Sequence, residues 1–354
     1  MNTVPPLPVK KDLETVVILK QLNKSSRALA ELKGEAKTIP DESILINTLG
    51  LQEAKDSSEV ENIITTHDEL FRAGVDEHYK NLAAKEVQNY VAALKLGFSY
   101  VQNTGLLTNR SILEIQATLE KNNAGFRKLP GTKLKNNKGE VVYEPPQGSQ
   151  EILDLMGNLD QYINDPDVQD LDPLIKMGII HYQFESIHPF YDGNGRTGRI
   201  INILYLVKEG LLDIPVLYLS RYIIDHKSDY YRYLQSVRDS DAWEEWILYM
   251  LKGVEQTALA TTTLIRSIRV IMDQYEEKLK TETSFYRKDL LEIIFRHPYT
   301  KIPFLENDLQ IHRQTAATYL NELDKLQLLK KVKLGKSNYY LNTALFNLLK
   351  YREG

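Results

Sequence analysis

The chain has no cysteine in its 354 residues, which excludes a disulfide framework, a thiol nucleophile and thiolate metal ligation. It lacks any apolar run near the ~18 residues a membrane span needs, and its opening, MNTVPPLPVKKDLE, has no apolar signal core. A cytoplasmic location without membrane contact is the expectation. Charge of one sign is not in excess either. The 44 basic and 48 acidic residues leave −4, too little to mark the whole chain as a nucleic-acid or membrane binder. The balance is uneven, because 12 Lys and Arg against 8 Asp and Glu from Thr281 onward give a local +4. What is present is a globular mixture, 42% hydrophobic and 26% charged, longer than one core usually serves. Two or three domains are expected.

Most of the chain to about residue 275 has apolar residues at three- and four-residue spacing, so a mainly α protein is expected. Residues 5–11, with three prolines, read as an extended arm. The style breaks at 126–148, where a Gly/Asn turn between TKL and EVVYE predicts a β-hairpin over 132–144. Helices are then expected at 149–163, 172–181, 196–209, 228–237 and 242–258. The polar stretch EEKLKTETS, residues 276–284, reads as a linker. Beyond it, helix, short helix, helix and hairpin follow in the order of a winged helix-turn-helix. The domains expected are a 1–105 arm and helical region, a 106–258 core, a 259–284 helix and linker, and a 285–354 winged domain.

Chemistry concentrates in residues 188–199, HPFYDGNGRTGR. Gly193-Asn194-Gly195 places two glycines and an αL-tolerant Asn before a helix, so successive N–H groups can form an anion-binding nest. The positive end of the helix dipole points to the same spot. Arg196 and Arg199, three apart, share a face of the first turns and can reach a polyphosphate. Two cations at a helix N-terminus oppose its dipole, which makes sense with an anion to hold. Asp192 stands where a carboxylate can hold Mg²⁺ against phosphate oxygens. His188, on a loop tightened by Pro189, can accept a proton near neutral pH. A plain glycine turn before a solvated arginine helix would explain a bare GxG. It does not explain a His, an acid, an Asn and two arginines in the same twelve residues.

The string resembles, at every defining position, the signature HxFx(D/E)GNGRxxR of the Fic family, enzymes that mostly move AMP from ATP onto hydroxyl side chains of proteins. The arm, the N-terminal helices, the hairpin and the C-terminal domain resemble the Shewanella-type class II Fic proteins. The resemblance implies a Fic helical core with a β-hairpin flap plus a winged helix-turn-helix. It also implies nucleotidyl transfer with ATP as substrate and Mg²⁺ as cofactor. His188 would be the general base and Asp192 the metal ligand. Gly193, Asn194, Gly195 and Arg196 would cradle phosphates, with Thr197 and Gly198 in the same ATP-binding stretch, and Arg199 would take the γ-phosphate. Doc-like kinases have Lys where this chain has Gly195, which argues against phosphorylation.

Ser57, Glu61 and Asn62 fit the family's inhibitory pattern (S/T)xxxE(G/N), within a helix expected at about 53–66. This implies that Glu61 pairs with Arg199 and denies the γ-phosphate its partner. The 132–144 hairpin resembles the flap onto which a target protein's segment adds as a strand, though an ordinary surface hairpin has the same sequence. Tyr231 resembles a family position near the nucleotide, while Tyr230 and Tyr222 fit a core equally well. Glu185 suits either the loop and nucleotide or a structural helix end. Trp243 and Trp246 fit packing, and His181, His226, His297 and His312 lack metal-ligand spacing. His312-Arg313-Gln314-Thr315 opens the third helix of the winged domain, and Lys330, Lys331, Lys333 and Lys336 load its wing. That pattern suits DNA phosphates or a protein partner equally. A homodimer is also compatible with the sequence. The rivals to AMP transfer are its reverse, hydrolytic removal of AMP, and a nucleotide-sensing DNA-binding regulator.

Overall fold

The computed structural model describes residues 4–73, 81–135, 138–334 and 337–350. Two helices form its centre. Helix α7 (Pro173–Ile187) is buried on every side from Leu174 to Ile187, and α8 (Asn194–Lys208) is almost as enclosed. A helix without a solvent face must sit inside others. Around this pair lie α2 (Glu42–Val60), α4 (Leu82–Thr104), α5 (Asn109–Glu120), α6 (Ser149–Asn164) and α11 (Trp243–Glu282). The short helices α3 (His67–Ala73), α9 (Leu219–Asp225) and α10 (Lys227–Ser240) fill the gaps. Helix α1 (Val16–Ala36) packs along α11, joined by Thr15–Glu244 at 2.7 Å, Ser25 to the Leu251 carbonyl at 2.7 Å, and Arg266 between Glu31 and Glu35. The arm is laid against α6 and α7: Leu7 pairs with Asn158, and Gln183 donates to the Pro5 carbonyl at 2.9 Å.

The hairpin is present as β1 (Leu134–Lys135) and β2 (Val141–Tyr143), antiparallel with an irregular register; Asn136 and Asn137 lie outside the described residues. Its root is fixed by Tyr143, which donates to the Ser186 carbonyl at 2.8 Å and lies 3.8 Å under Arg238. Val141 and Val142 stay half exposed.

The C-terminal region is α12 (Lys288–Arg296), β3 (Tyr299–Thr300), α13 (Ile302–Leu309), α14 (Arg313–Lys325), β4 (Lys330–Leu334), β5 (Ser337–Leu341) and α15 (Thr343–Lys350). Its antiparallel sheet has the order β3-β5-β4, the arrangement of a winged helix-turn-helix. Among the described residues, no helix is long and apolar enough to cross a membrane.

Three expectations need correction. The helix expected at about 53–66 is the end of α2, which starts at Glu42 and stops at Val60, where Glu61 is the C-cap. Residues 276–282 are not linker, and no break occurs at 258: α11 is one helix through Glu282. Its polar face concealed an inward row. Tyr275 and Leu279 are buried, and the Tyr275 hydroxyl reaches the Leu328 carbonyl at 2.8 Å, inside the winged domain. Helix α7 likewise runs past His181 to Ile187, because the polar side chains of Gln183 and Ser186 are buried with partners, the Pro5 carbonyl and Arg238, rather than solvated.

Candidate active site

The motif is the junction of α7 and α8. Helix α7 ends where His188 adopts the left-handed region at φ 49°, its N–H closing on the Phe184 carbonyl at 2.9 Å. The loop is pinned by Asn194, whose amide brackets Phe190: Asn194 Oδ1 accepts from Phe190 N and Nδ2 donates to Phe190 O, both at 2.8 Å. Phe190 is fully buried against Phe126 and Phe184. Gly193 then opens α8 at φ 77°, a backbone conformation that glycine adopts without strain, and any Cβ there would lie 2.3 Å from Glu120 Oε1. Asp192 is exposed at the lip of this turn, its Oδ1 accepting from Gly193 N at 2.7 Å.

The two arginines are both buried and both held by carboxylates. Arg196 donates to Glu86 at 3.1 Å and Glu120 at 2.9 Å. Arg199 donates through Nη2 to Glu61 Oε1 at 2.9 Å and the Ser57 carbonyl at 2.8 Å, and through Nε to Ser57 Oγ at 2.8 Å. Glu61 caps the C-terminal end of α2, and Asn62 turns the chain away in the left-handed region at φ 64°. The Glu61 carboxylate lies over Gly195: a Cβ on Gly195 would meet Glu61 Oε1 at 2.2 Å. An anion therefore already sits at the mouth of the nest, supplied by the chain itself. Burial pushes the Glu61 carboxyl up, but Arg199, with Arg196 and Lys227 behind it, holds it below the usual carboxylate range.

Burial pushes the His188 imidazole down to about 4, and the charges of Arg127 and Arg238 act in the same direction. It is thus a neutral acceptor at pH 7. Glu185 is buried beneath Gly198, its Oε1 3.0 Å from a Cβ there, and burial pushes its carboxyl up to about 7. Thr197 is buried in the first turn of α8. Tyr231 is half exposed on α10, though the charges of Glu61, Arg199 and Glu185 reach its phenol. Tyr230 is core, hydrogen-bonded to His181 at 2.8 Å. Trp243 and Trp246 are buried packing residues. In the winged domain His312, Arg313, Gln314, Lys330, Lys331 and Lys333 are exposed and Thr315 is half-buried, far along the chain from this site; Lys336 lies outside the described residues.

Three family models match the chain. "Fic/DOC family N-terminal" covers 19–99 and "Fic/DOC family" covers 106–206. "Protein adenylyltransferase SoFic-like, C-terminal domain" covers 271–345. The chain belongs to the Fic family. Fic relatives include the "Protein adenylyltransferase Fic" of Aedes aegypti, 25% identical over 195 residues, which are 55% of this chain and 35% of that protein. The protein of the same name from Drosophila ananassae is 25% identical over 224 residues, 63% of this chain and 41% of that one. The chain thus spans well under half the length of these curated relatives. A crystal structure of a Fic family protein from Desulfovibrio desulfuricans G20 superposes with a TM-score of 0.58 at 20% identity, covering 95% of this chain and 98% of that one. A Fic domain containing signaling protein from Bacteroides thetaiotaomicron gives 0.51 at 19% identity over 70% of this chain and 95% of its own. These likenesses bear on the Fic fold.

Several residues at the Fic motif were not singled out in the sequence. Glu86 and Glu120, which hold Arg196, stand in sequence stretches without a motif that would single them out. Arg127, in FRKLPG, offered one signal, a cation directly after an aromatic at the foot of the hairpin.

Proposed function

We propose that the chain is a protein adenylyltransferase, moving AMP from Mg-ATP to a Ser, Thr or Tyr hydroxyl of a target protein, and that Glu61 holds it inactive. The anion in the nest carries this reading. A helix N-terminus with two buried arginines is a polyanion site, and here a carboxylate of the same chain occupies it. In the reaction the target oxygen bonds to the α-phosphorus, the bridge to the β-phosphate breaks, and pyrophosphate leaves. The neutral His188 imidazole takes the hydroxyl proton, and the α8 N-terminus with Arg196 and Arg199 neutralises the phosphates. Asp192, exposed beside the nest, would be the residue to hold Mg²⁺, which when bound would offset charge on the leaving group. The half-exposed edge of Val141 and Val142 suits a target segment added as a strand.

Glu61→Gly tests the reading. Purified variant and wild type, at equal saturating Mg-ATP labelled on the α-phosphate, are compared for self-labelling and for labelling of lysate proteins. The variant should exceed wild type by about tenfold or more, since a competing intramolecular anion at high effective concentration is gone. Equal rates would overturn it.

A further inference from the structure

We infer that Arg127 is a positioning residue that sets the geometry of His188 by holding the end of α7 and the root of the flap in one unit, an inference resting on the adenylyl-transfer reading. Arg127 is 1% exposed, and among the described residues no carboxylate lies within ion-pair distance of it. Among the described residues its guanidinium donates only to backbone. Nε donates to the His188 carbonyl at 2.8 Å, and Nη2 to the Pro146 carbonyl at 2.9 Å and the Ile187 carbonyl at 3.4 Å. Its own N–H donates to the Pro189 carbonyl at 2.8 Å. One residue therefore ties three consecutive carbonyls, Ile187 to Pro189, to the chain just after the hairpin at Pro146.

The arrangement is costly for stability alone. A buried cation with no counter-ion loses its hydration, and burial accordingly lowers the Arg127 pKa. Nη1 is also buried without a partner. An apolar side chain would fill the same space at lower cost. What only a planar cation supplies is a rigid fork at the C-terminal end of α7, where the last carbonyls lack partners and the helix dipole is negative. The neighbouring contacts act with it. Tyr191 Oη accepts from Lys128 N at 3.0 Å and Leu129 N at 3.2 Å, and Phe126 packs on Phe190 at 5.2 Å. Residues 126–129 and 187–191 consequently move together. The charges acting on His188 are Arg127 from the hairpin root, Arg238 from α10, and Glu61 from α2, while a hydrogen bond to the Glu185 backbone, one turn earlier on its own helix, opposes the downward push.

The test uses Arg127→Met and Arg127→Lys in full-length Glu61→Gly protein. Three readouts are taken: Mg-ATP binding by calorimetry, kcat and KM for AMP transfer, and the titration of the His188 imidazole by NMR. Arg127→Met should keep ATP affinity, lower kcat by roughly ten- to a hundredfold, and move the His188 titration upward, because a cation is gone. Arg127→Lys should keep the low titration yet recover only part of kcat, since it has charge without the fork. A folded Met variant with kcat within about twofold and an unmoved titration would falsify the inference. If Met does not fold, the Lys variant decides: reduced kcat supports positioning and wild-type kcat refutes it. Should the Glu61→Gly parent transfer no AMP, the adenylyl-transfer reading fails, while the titration still reports whether Arg127 controls His188.

Discussion

Two contacts meet at the motif, one from α2 and one from the flap root, and they are built in opposite ways. The flap-root contact uses a buried arginine that grips only backbone carbonyls. No titration or competing anion can easily displace it. The α2 contact uses a carboxylate at a helix C-terminus, where the dipole disfavours it, with 36% of its side chain exposed. Its partner, Arg199, is what a phosphate would want. In the proposed function one contact persists and the other is exchanged.

The largest effect expected from this contrast lies on the persistent side. His188→Ala in the Glu61→Gly protein should cut AMP transfer by about 10²–10⁴, the usual loss for a general base. Mg-ATP affinity should hold, because in the proposed function the nest and arginines bind phosphate and the imidazole does not. Transfer at the parental rate would mean that the residue so carefully held does no proton chemistry. On the exchangeable side the effect is smaller. Ser57→Ala removes the acceptor of Arg199 Nε but leaves the Ser57 carbonyl and Glu61 in place. Losing one hydrogen bond while two others hold the same guanidinium weakens the closed state by about 1 kcal/mol. Basal self-labelling should rise severalfold and stay below that of Glu61→Gly. A Ser57→Ala protein as quiet as wild type would show that the carboxylate alone closes the site.

The same contrast explains what could be read in advance. The nest was legible because Gly-Asn-Gly before a helix has few other uses, and α8 indeed starts at Asn194 behind a left-handed Gly193. Glu61 was legible through spacing to Ser57 and Asn62, and the φ of 64° at Asn62 gives that spacing a backbone reason. The carbonyl-gripping side was not. Arg127 acts through backbone atoms 60 or so positions away, and backbone acceptors leave no trace in side-chain identity. Helix ends failed for a related reason. The last turns of α7 and α11 contain polar residues whose partners come from distant segments, so local polarity imitated loop and linker. Tertiary pairing of polar groups is the part of this fold that composition and periodicity do not encode.

The smallest effect concerns the hidden side of α2. Glu53, two turns before Glu61, is fully buried; it accepts from the Tyr90 hydroxyl at 3.1 Å, from the Ser220 hydroxyl, and from Ser220 N at 3.2 Å. Burial pushes its carboxyl up to about 7; Ser220 and Arg199 oppose that push, and Asp56 adds to it. A group whose native pKa is raised stabilises the fold fully below its unfolded pKa, and that contribution is lost as pH rises through the native value. For Glu53 the window runs from 4.5 to about 7. Glu185 shares this direction, and His188, held down to about 4, works oppositely between about 4 and 6.5, so wild type alone cannot isolate one group. Glu53→Gln can. Gln never ionises, so its urea midpoint relative to wild type should climb as pH rises from 5 to 8, whatever constant offset its altered hydrogen bonds impose. The climb should amount to a few kcal/mol at most, about 1.4 kcal/mol for each tenfold change in the acid dissociation constant on folding. Because α2 carries Glu61 at its end, wild-type self-labelling should rise more steeply over the same range than that of Glu53→Gln, which keeps the Glu185 and His188 titrations. A midpoint difference that is constant with pH would place Glu53 at an ordinary carboxylate value and leave the exchange at Arg199 as the only weak point of α2.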